Sequence, residues 1–215
     1  MTQHPSLPAD LSNPGDYAWE IATRFPTQGH WSESDYFALL DQAGSKGFEL
    51  VDGRIEVLPL PTRIHQLLGK FLFLALNAFV ESAGLGEVHY SGLRFRVRNG
   101  RIREPDVIFL SASRMHLARN KAFDGADLCI EVVSGSAEDR QRDYVDKATD
   151  YSSRGVAEYW IVDPDERHVI VNRLEGQRYV EHGRFREGDS AASVLLDGFS
   201  VDVGELFAVI EGVEG

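Results

Sequence analysis

Residues 127–147 read DLCIEVVSGSAEDRQRDYVDK, a short apolar run with one carboxylate in its centre, followed by a charged segment. The run Leu128 to Val133 has the length and the branched side chains of a buried strand, and Glu131 lies in its middle. A helix is predicted to follow from Ala137 to Arg154, closed by Gly155. Because a buried carboxylate is costly unless it is neutralised, the stretch predicts a strand and a helix built around an ionised site.

A second carboxylate, Asp106 in the segment REPDVIFL, also interrupts an apolar strand pattern. A single acid of this kind is commonly satisfied by an arginine or by backbone donors. Two such acids on neighbouring strands would converge, and their mutual repulsion would favour a divalent cation. Hard ions such as Mg²⁺ are held by one or two carboxylates together with water and phosphate.

The predicted helix supplies a cation of another kind. Lys147 lies three residues after Tyr144 and four before Tyr151, on the stripe formed by the apolar residues of the helix. A lysine in a helix is ordinarily a solvated surface charge. Its place beside an inward-facing stripe predicts that Lys147 leans toward the sheet instead.

The composition of the 215 residues, with 43% hydrophobic and 26% charged, excludes a mainly disordered or fibrous chain. The net charge of −12 argues against a non-specific nucleic-acid binder. The longest apolar run, Phe71 to Val80, is ten residues, well short of the ~18 that span a bilayer, so no membrane association is predicted. The single cysteine, Cys129, excludes an internal disulfide and favours a cytoplasmic location.

The remaining patterns predict one domain from residue 31 to 215 with its core at about 45–175, after a poorly ordered lead over residues 1–30. The domain is predicted to be α/β (α+β), a mixed central β-sheet flanked by helices with a β-rich C-terminal extension. The predicted elements include a helix ending at Gln42, a hairpin from Gly47 to Pro59, a helix from Arg63 to Ala83 and a return strand from Ile102 to Leu110. On the long helix, Leu67, Phe71, Leu74 and Ala78 follow one apolar face, and Leu68, Leu72, Ala75 and Phe79 widen it.

The segments FELVDGRIEV, REPDVIFL, LCIEVVS and DYVDKATDYSSRGVAEYWIVDP, with a helix that opens near His65, resemble the Uma-type restriction-endonuclease-like proteins. These proteins form a branch of the PD-(D/E)XK nuclease superfamily, and the resemblance covers roughly Trp31 to Phe207. It implies a restriction-endonuclease-like fold, dependence on Mg²⁺ (or Mn²⁺), a nucleic-acid substrate, in first place DNA, and a homodimer.

In the superfamily pattern, the aspartate of "PD" and the acid of "(D/E)XK" bind the metal, and the lysine positions or deprotonates the attacking water. Asp106 matches the first acid and Glu131 the second, but Val133 stands where the lysine is expected. The resemblance therefore assigns the lysine's role to Lys147 on the following helix. The implied catalytic set is Asp106, Glu131 and Lys147, with the metal on the two acids.

Three further residues are candidates through the same resemblance. Glu49 is a candidate metal residue, and the alternative is an ordinary strand carboxylate that faces water. His65 and Tyr151 are candidate accessory residues, and the alternatives are a polar residue at a helix end and a core aromatic residue.

The segment LRFRVRNGRIRE carries five arginines around a predicted Asn99-Gly100 turn: Arg94, Arg96, Arg98, Arg101 and Arg103. Like charges opposite one another destabilise a hairpin, so these side chains require anions. The anions are either phosphates, which would make the segment a polyanion-binding surface, or the protein's own acids. Strand alternation places the arginines on the face opposite Asp106 unless the chain changes phase near Pro105.

Two functions follow from these observations. The first is a metal-dependent nuclease that hydrolyses phosphodiester bonds, with DNA and RNA both open as substrates. The second is a binding or assembly module that keeps the fold and has little or no catalytic activity. The net charge and the displaced lysine favour the module, whereas the set Asp106, Glu131 and Lys147 favours the nuclease.

Overall fold

The computed structural model describes residues 25–43, 47–90 and 92–213. They divide into two compact units, one formed by the chain up to Pro59 with Arg98–Arg103, the other by Leu60–Val97 with Glu104 onward. The lead predicted for residues 1–30 lies largely outside the described residues. The single domain predicted from residue 31 stays a prediction beside this division.

Helices and strands succeed one another along the whole described chain. The first half contains α1 (Glu33–Ala43), β1 (Phe48–Val51), β2 (Arg54–Val57), α2 (Arg63–Ala83), β3 (Gly86–Tyr90), β4 (Arg94–Arg98), β5 (Arg101–Arg103) and β6 (Val107–Ser111). The second half contains a 3₁₀ turn (Ala112–Leu117), β7 (Ala122–Phe123), β8 (Leu128–Val132), α3 (Ala137–Gln141), a π turn (Arg142–Asp146) and α4 (Lys147–Arg154). The chain then forms β9 (Glu158–Asp163), β10 (His168–Glu175), β11 (Arg178–Phe185), β12 (Ser190–Ala192), β13 (Ser200–Asp202) and α5 (Val203–Ala208).

The first unit is a small layer of helix on sheet. Strands β2, β1 and β5 pair antiparallel in that order. The predicted hairpin is confirmed, with Asp52 and Gly53 both at positive φ, as a tight two-residue turn between strands requires. The unit has its own apolar core, formed by Trp31, Tyr36, Leu40, Leu50 and Ile102.

The second unit is built on a six-stranded sheet in the order β11-β10-β9-β8-β6-β3. Strands β8 and β9 are parallel, and the other neighbours are antiparallel. The predicted mixed sheet is therefore confirmed. Strands β8 and β9 are buried along their whole length, because helices cover both faces of the sheet.

Successive residues of the central strands point to opposite faces of the sheet and belong to two separate apolar cores. On one face, Ile130 and Trp160 pack with the inner leucines of α2. On the other face, Cys129, Ile161 and Tyr151 pack together beneath α3, the π turn and α4. A carboxylate placed on this second face, such as that of Glu131, must therefore find its partners between the sheet and the helix.

Helix α2 has the predicted bounds, because both of its ends carry strong local signals. The Thr62 side chain accepts a hydrogen bond from the backbone N–H of His65, and Gly84 takes the left-handed conformation that closes the helix. The buried stripe, however, is Leu68, Leu72, Leu76 and Val80, and Leu74 is 53% exposed.

By length and composition α2 could also cross a membrane, and it is the helix of the described chain that meets this criterion. Its leucine stripe packs in the core of the second unit. The core helix of a globular protein meets the same criterion, so length and composition alone are weak evidence for a membrane span.

The return strand predicted from Ile102 to Leu110 is two strands, β5 and β6, and this prediction was wrong in its continuity. The chain leaves the strand conformation at Glu104-Pro105, because proline has no backbone N–H to continue a ladder. The break separates the arginines of β5 from Asp106, which immediately precedes β6.

The helix predicted from Ala137 to Arg154 forms with the predicted bounds, but its middle is a π turn. The backbone N–H of Lys147 donates to the carbonyl of Arg142, five residues earlier. A π turn adds one residue to the helical repeat and shifts the phase of the side chains. Val145, the apolar residue in the middle of this turn, is 48% exposed.

Candidate active site

Asp106 and Glu131 become neighbours through the pairing of β6 with β8. Val107 lies opposite Ile130, so the next step along the antiparallel register places Asp106 opposite Glu131. The carboxylate Oδ2 of Asp106 accepts a hydrogen bond of 2.8 Å from the backbone N–H of Val132. The side chain of Asp106 thus binds a backbone N–H of β8 that would have bonded to the backbone of β6 if that strand continued.

Lys147 lies directly against the second acid. Its Nζ is 2.7 Å from Glu131 Oε2, and both side chains are almost fully buried. The other oxygen of that carboxylate, Oε1, accepts a hydrogen bond of 2.5 Å from the Tyr151 hydroxyl, one helical turn further along α4. Two consecutive turns of the helix therefore hold the two oxygens of a single strand carboxylate.

The first turn of α2 contributes to the same cluster from the side of Asp106. His65 Nε2 lies 3.0 Å from Asp106 Oδ2. Burial lowers the pKa of His65, but the hydrogen bond and charge of Asp106 outweigh it and raise the pKa above its ordinary value. For Asp106 the directions are opposite. Burial raises its pKa, but the contacts with His65 and the charge of Lys147 hold the pKa below its ordinary value.

Asp143, on the π turn, is a third carboxylate of the cluster and was not predicted. Its Oδ1 lies 3.3 Å from Lys147 Nζ and 3.4 Å from Arg142 Nε. Within the described chain this buried oxygen makes no hydrogen bond. Burial raises the pKa of Asp143, and the charges of Lys147 and Arg142 offset only part of that effect. The sequence signal was the spacing of four residues between Asp143 and Lys147, which places both side chains on one side of a helix.

Glu131 resists ionisation in this cluster. Burial raises the pKa of Glu131 to about 8, and the nearby charges of Asp106 and Asp143 act in the same direction against Lys147. A bound cation would act together with Lys147 and favour the ionised carboxylate.

The cluster is accessible from one end. The side chains of Asp106 and His65 are 19% and 16% exposed, whereas those of Glu131 and Lys147 are 2% and 4% exposed. A ligand from solvent would therefore reach Asp106 first and find the lysine behind it.

A separate network fixes the helix that carries Lys147. The buried carboxylate of Asp163, at the end of β9, binds the guanidinium of Arg140 and accepts a hydrogen bond of 2.8 Å from the Tyr144 hydroxyl. The hydroxyl is also 3.1 Å from Nε2 of His168. Arg140 and Tyr144 lie before and within the π turn, so the network holds the turn against the sheet.

A buried strand carboxylate is not by itself a sign of chemistry, and Glu158 in β9 shows the contrast. Its two oxygens accept hydrogen bonds from the Trp160 indole, the Ser193 hydroxyl and the backbone N–H groups of Val194 and Leu195. These neutral donors tie the C-terminal segment to the sheet. Glu131 instead faces a lysine and two further acids.

Glu49 belongs to the first unit, where its buried carboxylate accepts a hydrogen bond of 2.7 Å from Arg103. The burial of Glu49 contradicts the alternative of a strand carboxylate that faces water. The role of Glu49 at a metal stays a prediction.

Four of the five clustered arginines contact acids of the same chain. Within the first unit, Arg98 and Arg101 both bind Asp52, and Arg103 binds Glu56 as well as Glu49. Within the second unit, Arg96 binds Asp124. These contacts agree with the alternative in which the protein's own acids neutralise the arginines. A polyanion-binding role for this segment, including Arg94, stays a prediction.

The residues of the cluster fit a divalent cation in their chemistry. Asp106 and Glu131 offer hard carboxylate oxygens, as Mg²⁺ and Mn²⁺ prefer, and Asp143 adds a third carboxylate beside Lys147. The described residues contain no group of three or more acids, histidines or cysteines already arranged around a metal position. The carboxylates are turned instead toward Lys147 and His65.

Comparison with known proteins bears on this cluster. A family model described as "Uma2: Putative restriction endonuclease" matches residues 34–204. A crystal structure from Anabaena variabilis ATCC 29413, described as a putative nuclease belonging to DUF820, superposes with a TM-score of 0.62 at 21% identity, over 76% of this chain and 90% of that chain. The search of curated proteins found no match. The structural likeness confirms the expected nuclease-like α/β fold, and the match over most of the sequence shows that the chain belongs to the Uma2 family of restriction-endonuclease-like proteins.

Proposed function

We propose that the protein is a metal-dependent nuclease that hydrolyses phosphodiester bonds of DNA, with its active-site lysine supplied by the helix after β8. The observation that carries this proposal is the contact of 2.7 Å between Lys147 Nζ and Glu131 Oε2, on the strand next to Asp106. Two acids and a lysine placed side by side are groups that can support metal-assisted phosphodiester hydrolysis. Membership of the Uma2 family supports the same reaction class.

Asp106 and Glu131 would hold the cation, which is Mg²⁺ or Mn²⁺ in this proposal. When bound, the cation would polarise a phosphoryl oxygen and lower the pKa of a bound water. Lys147 would orient the attacking water and offset the charge that develops on the phosphoryl group. His65 fixes the carboxylate of Asp106, and Tyr151 fixes that of Glu131. Both are positioning residues.

Location and oligomeric state complete the proposal. A cytoplasmic location is supported by the single, buried cysteine, since nothing in the chain calls for an oxidising compartment. A homodimer is supported by the family resemblance.

The experiment is a cleavage assay on plasmid, single-stranded DNA and RNA with Mg²⁺ and Mn²⁺. Wild type is compared with Asp106→Asn, Lys147→Met and the matched control Lys121→Met, which removes an exposed lysine. Cleavage is expected in wild type and the control and is expected to fall at least a hundredfold in the other two variants. Equal cleavage in wild type and Lys147→Met would identify a contaminating nuclease and refute the proposal.

A binding or assembly module with little catalytic activity is the second candidate. The pairing of four clustered arginines with the protein's own acids favours it, because few cations are left for a phosphate backbone. Thermal melting with Mn²⁺ separates the two candidates. If the site is that of a nuclease, Mn²⁺ should raise the melting temperature of wild type but not that of Asp106→Asn. If the site no longer binds metal, Mn²⁺ should change the melting temperature of neither protein.

A further inference from the structure

Helix α2 carries a second apolar stripe that its own subunit leaves partly uncovered. Ile64, Leu67, Phe71, Leu74 and Ala78 follow one another at alternating spacings of three and four residues. Leu74 is 53% exposed, Ala78 is exposed, and the other three are half-buried. At 100° per residue, Leu74 lies on the side of the helix opposite the buried leucines.

The spacing of this stripe is that of a seam between two helices. Apolar residues that alternate at three and four positions form a narrow line along a helix, and such a line is the contact seam of paired helices. The stripe runs over four turns, about 21 Å at 1.5 Å per residue. A helix of another molecule is therefore the shape that matches it.

The charges of α2 permit two copies of this helix to meet. The chain as a whole has a net charge of −12, but α2 contains Arg63, Lys70 and Glu81 as its ionised side chains and is not negative. Like-charge repulsion between two copies is therefore smaller here than on an average surface of the protein.

The ends of the helix also favour one orientation. Arg63 and Glu81 are 18 residues apart, which is five whole turns, so they lie on the same flank of the stripe. Neither side chain makes an ion pair within the described part of the subunit. In an antiparallel pair centred near Phe71 and Leu72, Arg63 faces Glu81 of the partner subunit, and the contact occurs twice by symmetry. A parallel pair would place Arg63 and Glu81 of the partner subunit at opposite ends of the seam and would not form this contact.

We infer that the stripe on α2 is the dimer interface of this protein, formed by two copies of the helix packed antiparallel about a two-fold axis. This surface rests on the homodimer of the proposed function and does not depend on nuclease activity. A seam of one helix per subunit is a small interface beside the standard of about 800 Å² per partner, and we expect a dissociation constant in the micromolar range.

The test is sedimentation equilibrium of the full chain over roughly 5–200 µM, a range chosen to bracket micromolar affinity. Wild type should be dimeric at the upper end. Leu74→Glu should weaken dimerisation at least a hundredfold, and the matched control Gln66→Glu, which adds the same charge off the stripe, should not. Because Leu74 is largely exposed, the thermal melting of the dilute monomer should change little.

Charge reversal tests the orientation. Arg63→Glu alone should weaken the dimer several-fold, and the double variant Arg63→Glu with Glu81→Arg should restore it. No restoration would overturn the antiparallel arrangement. A dimer that survives Leu74→Glu, or a wild type that is monomeric throughout, would overturn the interface itself.

Two outcomes would assign the stripe to another occupant. Dimerisation only after removal of residues 1–24 would show that the chain's own N-terminal segment covers the stripe. Binding of a monomeric wild type to phosphatidylcholine vesicles would assign it to a lipid surface. Cleavage activity in a monomeric Leu74→Glu protein would leave the nuclease proposal intact, so the two proposals fail separately.

Discussion

Replacing Glu131 with glutamine should change how the stability of the metal-free protein depends on pH. In the folded protein Glu131 keeps its proton up to about pH 8, whereas the unfolded chain releases it near the ordinary pKa of 4.5. Between these values the folded state binds more protons, so the free energy of unfolding falls as the pH rises. Below the ordinary pKa the contribution of this side chain is fully favourable.

The magnitude follows from the pKa shift. One proton bound only in the folded state gives a slope of about 1.4 kcal/mol per pH unit. His65, whose pKa is raised above 6.5, adds loss of stability in the same direction above that pH. The pKa of Asp143 is raised as well and adds a loss in the same direction, so the contribution of Glu131 is the difference between wild type and Glu131→Gln. From pH 5 to 6.5 the free energy of unfolding of wild type should fall by about 2 kcal/mol more than that of Glu131→Gln.

The measurement is urea unfolding in EDTA at pH 5, 5.5, 6 and 6.5, with Glu211→Gln as a control that removes an exposed carboxylate. The control should keep the wild-type slope. Parallel slopes for wild type and Glu131→Gln would refute the reasoning, because they would show that the carboxylate is ionised throughout this range.

Three other substitutions test the neighbouring contacts. Lys147→Met should destabilise the protein by about 3–5 kcal/mol at pH 8 because it leaves buried acids without their ammonium, and urea unfolding at pH 5 should show a smaller loss as Glu131 takes up a proton. Tyr151→Phe removes a buried donor to the same carboxylate and should cost about 1–3 kcal/mol by urea unfolding. The loss of metal-dependent cleavage, expressed as a free energy, should be larger than this loss of stability. In the first unit, Arg103→Met should lower the melting temperature clearly, since it breaks a buried ion pair. Arg98→Met breaks an exposed ion pair and should cost less than about 1 kcal/mol of stability. Equal losses of stability in Arg103→Met and Arg98→Met would show that burial does not distinguish the two ion pairs.

The parts of the fold that the sequence predicted are those with local physical causes. The bounds of α2 follow from the Thr62 cap and from Gly84, and the hairpin follows from the turn at Asp52-Gly53. The apolar runs of β8 and β9 require burial on both faces, and the structure places both strands at the centre of the sheet. Each signal lies within a few residues of the element that it determines.

The outward stripe of α2 was misjudged because periodicity finds apolar faces without saying what covers them. Both stripes of the helix are apolar, and only the packing of the sheet selects Leu68 and Leu72 over Leu67 and Leu74. The π turn was likewise missed, because no local sequence rule marks it and the contacts around it, those of Arg140 and Tyr144 with Asp163, are tertiary.

Long-range partners were also beyond the sequence. Glu131 and Glu158 occupy similar positions in similar apolar strands, yet one faces a lysine and the other accepts hydrogen bonds from neutral donors. Arg96 finds Asp124, 28 residues further along the chain. The identity of such partners depends on which loops and strands meet, and no pattern within one segment contains that information.

The π turn also limits how this helix can be shortened. A π turn holds one residue more than the α-helical turn that it replaces, so deletion of Val145 would allow a regular helix with stronger backbone hydrogen bonds. The part of the helix before the deletion would then rotate by about 100° relative to α4 and carry Tyr144 away from its hydrogen bond with Asp163. The regular helix and the helix that is anchored to the end of β9 thus differ by a single codon.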